Sequence, residues 1–193
     1  MKRIAIFASG NGTNAQRIAE YFSDHPGILI SIILSNKKEA YVLERAKKLD
    51  ISTFIFDRDE FYNTKKVLKK LKKKKIDFIV LAGFLWLIPD YILKEYTGRI
   101  VNIHPALLPK YGGKGMYGER VHKAVIESGD KETGITIHLV NERYDEGEII
   151  FRKKVAVVED DTPDTIAEKI HRLEYKYFPV IIEQEIDKIK QVL

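Results

Sequence analysis

Alternation between short apolar runs and helix-period segments constrains this 193-residue chain more than any other feature. RIAIFA (3–8), ILISIIL (28–34), STFIF (52–56), FIVLA (78–82) and RIVNIH (99–104) have the length and composition of strands. Between them, AQRIAEYF (15–22) sets Ala15, Ile18, Ala19 and Phe22 on one helical face. YVLERAKKL (41–49) and the stretch 60–75 read as two further helices. Strand, helix, strand in repetition predicts an α/β fold: an open, mostly parallel, twisted sheet with helices on both faces. ILISIIL has the continuous apolar character of a strand buried on both sides. GITIHLV (134–140) and GEIIFRKKVAV (147–157) read as two more strands, the second half exposed. A long last helix follows, with Thr162 as N-cap, Pro163 in its first turn and a kink expected at Pro179. With no internal repeat and no low-complexity linker, a single domain over 1–193 is expected.

Charge and cysteine content narrow the partners. The net charge is +5, but KKVLKKLKKKK (65–75) alone supplies eight lysines, so the remainder of the chain is net acidic. Val67, Leu68 and Leu71 fall at helical spacing among those lysines, which makes the run a solvated helix face and not a nucleic-acid stripe. Cysteine is absent, which excludes disulfides, thiolate catalysis and zinc–thiolate sites. No apolar run approaches the ~20 residues of a membrane helix. The opening MKRIAIFASG leads directly into a glycine loop, so it reads as a first strand and not a signal peptide, and a cytoplasmic location is expected.

Two stretches carry chemistry. SGNGTNA (9–15) lies between a strand and a helix, where glycines let backbone amides approach an anion at the helix N-terminus. The acidic ribose reader of a dinucleotide site is missing, since Asn36 stands at the end of the next strand, and no Walker lysine is present. A phosphate cradle is the favoured reading; a plain tight turn is the bland one. In NIHPALLPKYGGKG (102–115), Asn102 and His104 share one face of a strand at its C-terminal end. An amide beside an imidazole suits an oxyanion with proton transfer, and Asp145 in ERYDEGE is the candidate that tunes the histidine. Taken singly, a strand histidine is most often structural and an Asp before a glycine turn most often only forms the turn. His138 reads the same structural way, and His122 and His171 as surface or packing residues. No histidine pair has metal-ligand spacing, so no metal is expected.

Together SGNGTN, SNKKEA with the following ERA, VLAGF, NIHPALLPKY, ESGD and GITIHLVNERYDEGEII resemble the phosphoribosylglycinamide formyltransferases, from residue 3 to about 180. These are the folate-dependent transformylases of purine synthesis. The resemblance implies that the amine of glycinamide ribonucleotide attacks the formyl carbon of the cosubstrate 10-formyltetrahydrofolate. Asn102 and His104 would stabilise the oxyanion, with His104 passing protons and Asp145 raising its pKa so that imidazolium meets the charge. Gly10, Asn11, Gly12, Thr13 and Asn14 would hold the ribonucleotide phosphate, and Glu174 its glycinamide end. Leu85, Trp86, Leu87 and Ile88 would line the pterin pocket as an exposed apolar patch, with Val140, Asn141, Glu142, Arg143 and Tyr144 facing them. Asn102 and Arg58 complete the implied folate contacts. On this view residues 1–100 form a Rossmann-like phosphate-binding half and 101–193 the catalytic and folate-binding half. The partners would be small molecules only, with no nucleic acid and no membrane, and the protein a monomer or homodimer.

Three departures from the family pattern stand out. Trp86 occupies a place where bacterial relatives often carry arginine, GGKGMYGERVH (112–122) is a longer loop, and Arg58 is offset by one position. Methionyl-tRNA formyltransferase and formyltetrahydrofolate hydrolase share NIHPALLP but would add a C-terminal RNA-binding or an N-terminal regulatory domain. A non-catalytic phosphate-binding module would not need Asn102, His104 and Asp145 to converge.

Overall fold

The computed structural model describes residues 1–191, so the last two positions of the expected domain lie outside the described residues. Seven strands form one sheet: β1 (Lys2–Phe7), β2 (Ile28–Ser35), β3 (Thr53–Ile55), β4 (Phe78–Leu81), β5 (Ile100–His104), β6 (Glu132–Leu139) and β7 (Ile149–Ala156). Their order is β3-β2-β1-β4-β5-β6-β7. The pairs from β3 through β5 are parallel, while β6 and β7 add on antiparallel.

Side-chain alternation in β1 explains why both faces are covered. Ile4 and Ile6 enter one core and Ala5 and Phe7 the other, all fully buried. The first core is packed by α1 (Thr13–Tyr21), α2 (Val42–Lys48) and the long α7 (Pro163–Gln191). The second is packed by α3 (Arg58–Tyr62), α4 (Lys66–Lys73) and α5 (Asp90–Glu95). The lysine run is a solvated face as expected, with Val67, Leu68 and Leu71 buried.

Three local expectations are corrected, and the expected cap of the last helix holds. The stretch 60–75 is two helices and not one: Asp57 and Glu60 close a capping box on the short α3, and Thr64 restarts the chain by accepting from the Lys66 amide. β2 is not buried on both faces throughout, because Leu29 near its start is 39% exposed. The loop expected over 112–122 ends at Gly118, since Val121, His122 and Val125 give the segment a buried helical face, α6 (Glu119–Ser128). Thr162 Oγ1 accepts from the Thr165 amide as a cap should, and α7 runs on through Pro179 between buried Phe178 and Ile181.

Candidate active site

Strand order reverses beside β1, so the connections after β1 and β4 leave toward opposite faces and open a crevice at the strands' C-terminal ends. A cavity of about 550 Å³ occupies it. Its walls are the glycine loop, residues 82–85, the end of β5, the 113–118 loop, Tyr144 with Asp145, and Ile170, His171 and Glu174 of α7.

At one end lie Gly10, Asn11, Gly12, Thr13 and Asn14, all lining the cavity. Gly12 caps α1 at φ +78, and a Cβ there would fall 2.3 Å from Val42 Cγ2, so both conformation and packing demand glycine. No side chain caps α1, which leaves its first-turn amides to a ligand. Asn14 Nδ2 donates to Glu174 Oε2 at 2.8 Å. Burial raises the Glu174 carboxyl to about 7, and the Asn14 bond opposes this only in part.

At the other end the expected trio converges. His104 Nδ1 lies 3.5 Å from Asp145 Oδ2, and Asn102 Nδ2 donates to Asp145 Oδ1 at 3.4 Å. His104 Nε2 is 2.7 Å from the Tyr111 carbonyl, which can only accept, so the proton sits on Nε2 and Nδ1 is the basic nitrogen. Asp145 holds a left-handed φ of +57, and its Oδ2 accepts from the Gly113 amide at 2.9 Å. Burial alone would raise its carboxyl; the contact with His138, the charge of His104 and the Gly113 amide outweigh that and hold it below the ordinary value.

The expected net rise of the His104 pKa is corrected. Burial lowers it and outweighs the upward pulls of Asp145 and the Tyr111 carbonyl. The ring is 3% exposed, and desolvation of an imidazolium at that depth exceeds one carboxylate at 3.5 Å.

His138, read as structural from sequence, belongs to the cluster. Its Nδ1 donates to the Leu139 carbonyl at 2.8 Å, so Nε2 accepts from Asn102 Nδ2 at 3.1 Å. Nε2 also lies 3.6 Å from Asp145 Oδ1. The signal was register: Asn102 and His138 face each other across antiparallel strands, a pairing that one strand's pattern does not reveal. His122, read as a surface or packing residue, is of the packing kind. It is 4% exposed, lines the cavity, and has its pKa lowered to about 4 by burial and then by His171.

The implied folate residues divide. Leu85 and Tyr144 line the cavity. Trp86, Leu87, Ile88, Val140, Asn141, Glu142, Arg143 and Arg58 stand outside its wall. The exposed apolar patch is corrected: Ile88 is 2% exposed, and Trp86 packs on Phe56, Phe61, Tyr62 and Phe84. The Leu87 carbonyl accepts from the Tyr62 hydroxyl at 2.9 Å. Arg58 lies 5.6 Å above the Trp86 ring and 5.1 Å above Tyr62. Burial raises the Tyr62 phenol, and Tyr144 adds to the rise. Val140 packs into the same core, whereas Arg143 turns outward to Glu146. Among the described residues no group of three His, Cys, Asp or Glu side chains is arranged to hold a metal ion. No helix among them is long and apolar enough to cross a membrane.

The profile of the formyl transferase family matches residues 2–182. The chain is 39% identical to the chloroplastic phosphoribosylglycinamide formyltransferase of Arabidopsis thaliana, spanning 64% of that protein's length. It is 36% identical to the phosphoribosylglycinamide formyltransferase of Bacillus subtilis, covering 94% of it. The crystal structure of the Bacillus halodurans enzyme of that name superposes with a TM-score of 0.87 at 37% identity, covering 97% of each chain.

Proposed function

The chain belongs to the formyl transferase family, and we propose that it moves the formyl group of 10-formyltetrahydrofolate to the amine of phosphoribosylglycinamide. The products are formylglycinamide ribonucleotide and tetrahydrofolate, a step of purine synthesis. One observation carries this reading: a phosphate-type glycine loop and an amide–imidazole–carboxylate cluster share a single cavity.

The chemistry follows from the donors present. The amine nitrogen attacks the formyl carbon, and the carbonyl oxygen becomes an oxyanion. Asn102 is the donor for it, since its contact to Asp145 at 3.4 Å is long and easily exchanged, while its bond to His138 keeps the amide oriented. His104, with Nδ1 as its basic nitrogen, takes up the proton the amine loses, and Asp145 stabilises the imidazolium so formed. That proton then goes to N10 as the carbon–nitrogen bond to tetrahydrofolate breaks. The glycine loop holds the phosphate, and Glu174 holds the glycinamide end. Folate enters past Leu85 and Tyr144, with Trp86, Leu87, Ile88, Arg58 and the 140–143 segment as the supporting wall. Residues 1–193 work as one formyltransferase domain, acting on small molecules in the cytoplasm.

The test is to mix the purified protein with both substrates and follow tetrahydrofolate release. Release only when ribonucleotide is present supports the transfer. Release without it indicates a hydrolase, and formylation of methionyl-tRNA in its place indicates the RNA-directed enzyme. Binding without any turnover would reduce the protein to a ligand-binding module.

A further inference from the structure

We propose that Arg45 is a positioning residue for the phosphate cradle, acting through Asn11 and Gln16; this rests on reading the 9–14 loop as the phosphate site. Arg45 lies on α2, outside the cavity wall, yet it makes the densest set of polar contacts to the loop. Its Nε donates to the Asn11 carbonyl at 2.9 Å and to Asn11 Oδ1 at 3.2 Å. Nη2 donates to the same Oδ1 at 2.6 Å, and Nη1 to Gln16 Oε1. Stacking on Tyr41 at 4.9 Å holds the guanidinium in place.

The consequence is a loop gripped from behind. The Val42 amide donates to the Gly10 carbonyl at 3.1 Å, and Val42 packs against the bare face of Gly12. The first helical bond runs from the Gln16 amide to the carbonyl of the N-cap Gly12 at 2.9 Å, while the Asn11 carbonyl just before it accepts from Arg45. Among the described residues, the amides of Thr13, Asn14 and Ala15 donate to no backbone acceptor, as at any helix N-terminus, and Arg45 fixes the loop that presents them. A loop with two glycines would otherwise lose much conformational freedom on binding, and Arg45 meets that cost in advance. The planar fork matters because one side chain must reach a carbonyl, an amide oxygen and Gln16 together, which a lysine ammonium does not reproduce.

The test is calorimetric titration of ribose 5-phosphate into the wild type, Arg45→Ala, Arg45→Lys, Asn11→Ala and the Arg45→Ala/Asn11→Ala double variant, beside steady-state kinetics. Arg45→Ala is expected to weaken ribose 5-phosphate binding roughly tenfold and to raise KM for the ribonucleotide alike, with kcat and the folate KM within about twofold. Arg45→Lys recovers less than half of the loss. The double variant binds no more weakly than the weaker single variant, because both changes release the same contact. Unchanged affinity in Arg45→Ala, full rescue by lysine, or additive losses in the double variant would overturn the role of Arg45 while leaving the transfer reaction standing. A wild type that ignores ribose 5-phosphate and ribonucleotide alike would overturn both.

Discussion

Two carboxylates in one cavity have opposite surroundings. Asp145 meets the Gly113 amide, the Asn102 amide and two imidazoles, and its carboxyl lies below the ordinary value even though burial pushes upward. Glu174, 6% exposed on α7, meets one amide hydrogen of Asn14, and burial carries its carboxyl to about 7. Depth alone does not decide ionisation here; the number of donors does. One end of the cavity is built around a carboxylate met by several groups, while the other buries a carboxyl beside a single amide donor.

The largest effect that would break this contrast is expected at Asp145. Asp145→Asn should fold but lose roughly 10²–10⁴-fold in kcat/KM, the range for acid–base groups. The His104 titration, followed by NMR, should also move to lower pH, because the variant removes an upward pull and leaves burial unopposed. If activity and titration both persist, Asp145 is only a turn residue.

Glu174→Gln should act on stability in the opposite sense. A carboxyl raised from 4.5 to about 7 in the fold costs the wild type stability as pH climbs through that window. The glutamine variant should therefore be more stable by on the order of 3 kcal/mol above neutral pH, with the gain vanishing below the unfolded value. Denaturant melts across pH measure this, and the same variant should raise KM for the ribonucleotide. A pH-independent difference would mean that Glu174 is not held protonated by burial.

A smaller effect sharpens the comparison at the glycine loop. Gly12→Ala should cost about 1–3 kcal/mol, combining left-handed backbone strain with a Cβ driven into Val42. Adding Val42→Ala relieves the collision but not the φ strain, so recovery of stability and of ribonucleotide KM should be partial. Full recovery would show that φ +78 imposes no cost here.

The smallest expected signal is spectroscopic. Titration of a folate analogue should change the emission of Trp86, the chain's only tryptophan, which contacts Arg58 and Tyr62 beside the 140–145 loop. Saturation with no change in emission would move the folate away from this wall.

Periodicity and residue chemistry made much of the fold legible. The length and apolar composition of RIAIFA and FIVLA foretold strands with helices on both faces, and Gly10, Gly12, Asn102, His104 and Asp145 all face one cavity. His138 and the Tyr111 carbonyl were not legible, because one depends on strand register and the other on a loop doubling back. The exposure of FLWLI was misread for a related cause: the stretch is apolar throughout, and nothing local distinguishes buried Ile88 from half-buried Trp86.

By itself, then, the sequence determined most of the segments that become strands and helices and which residue types line the cavity, since these depend on neighbours a few positions apart. Tertiary structure alone decided the protonation landscape. Whether His104 is raised by Asp145 or lowered by burial, and whether Glu174 ionises, depends on how much water remains and how many donors arrive from distant strands. Both quantities are sums over space, to which β6, α6 and α7 contribute from far along the chain.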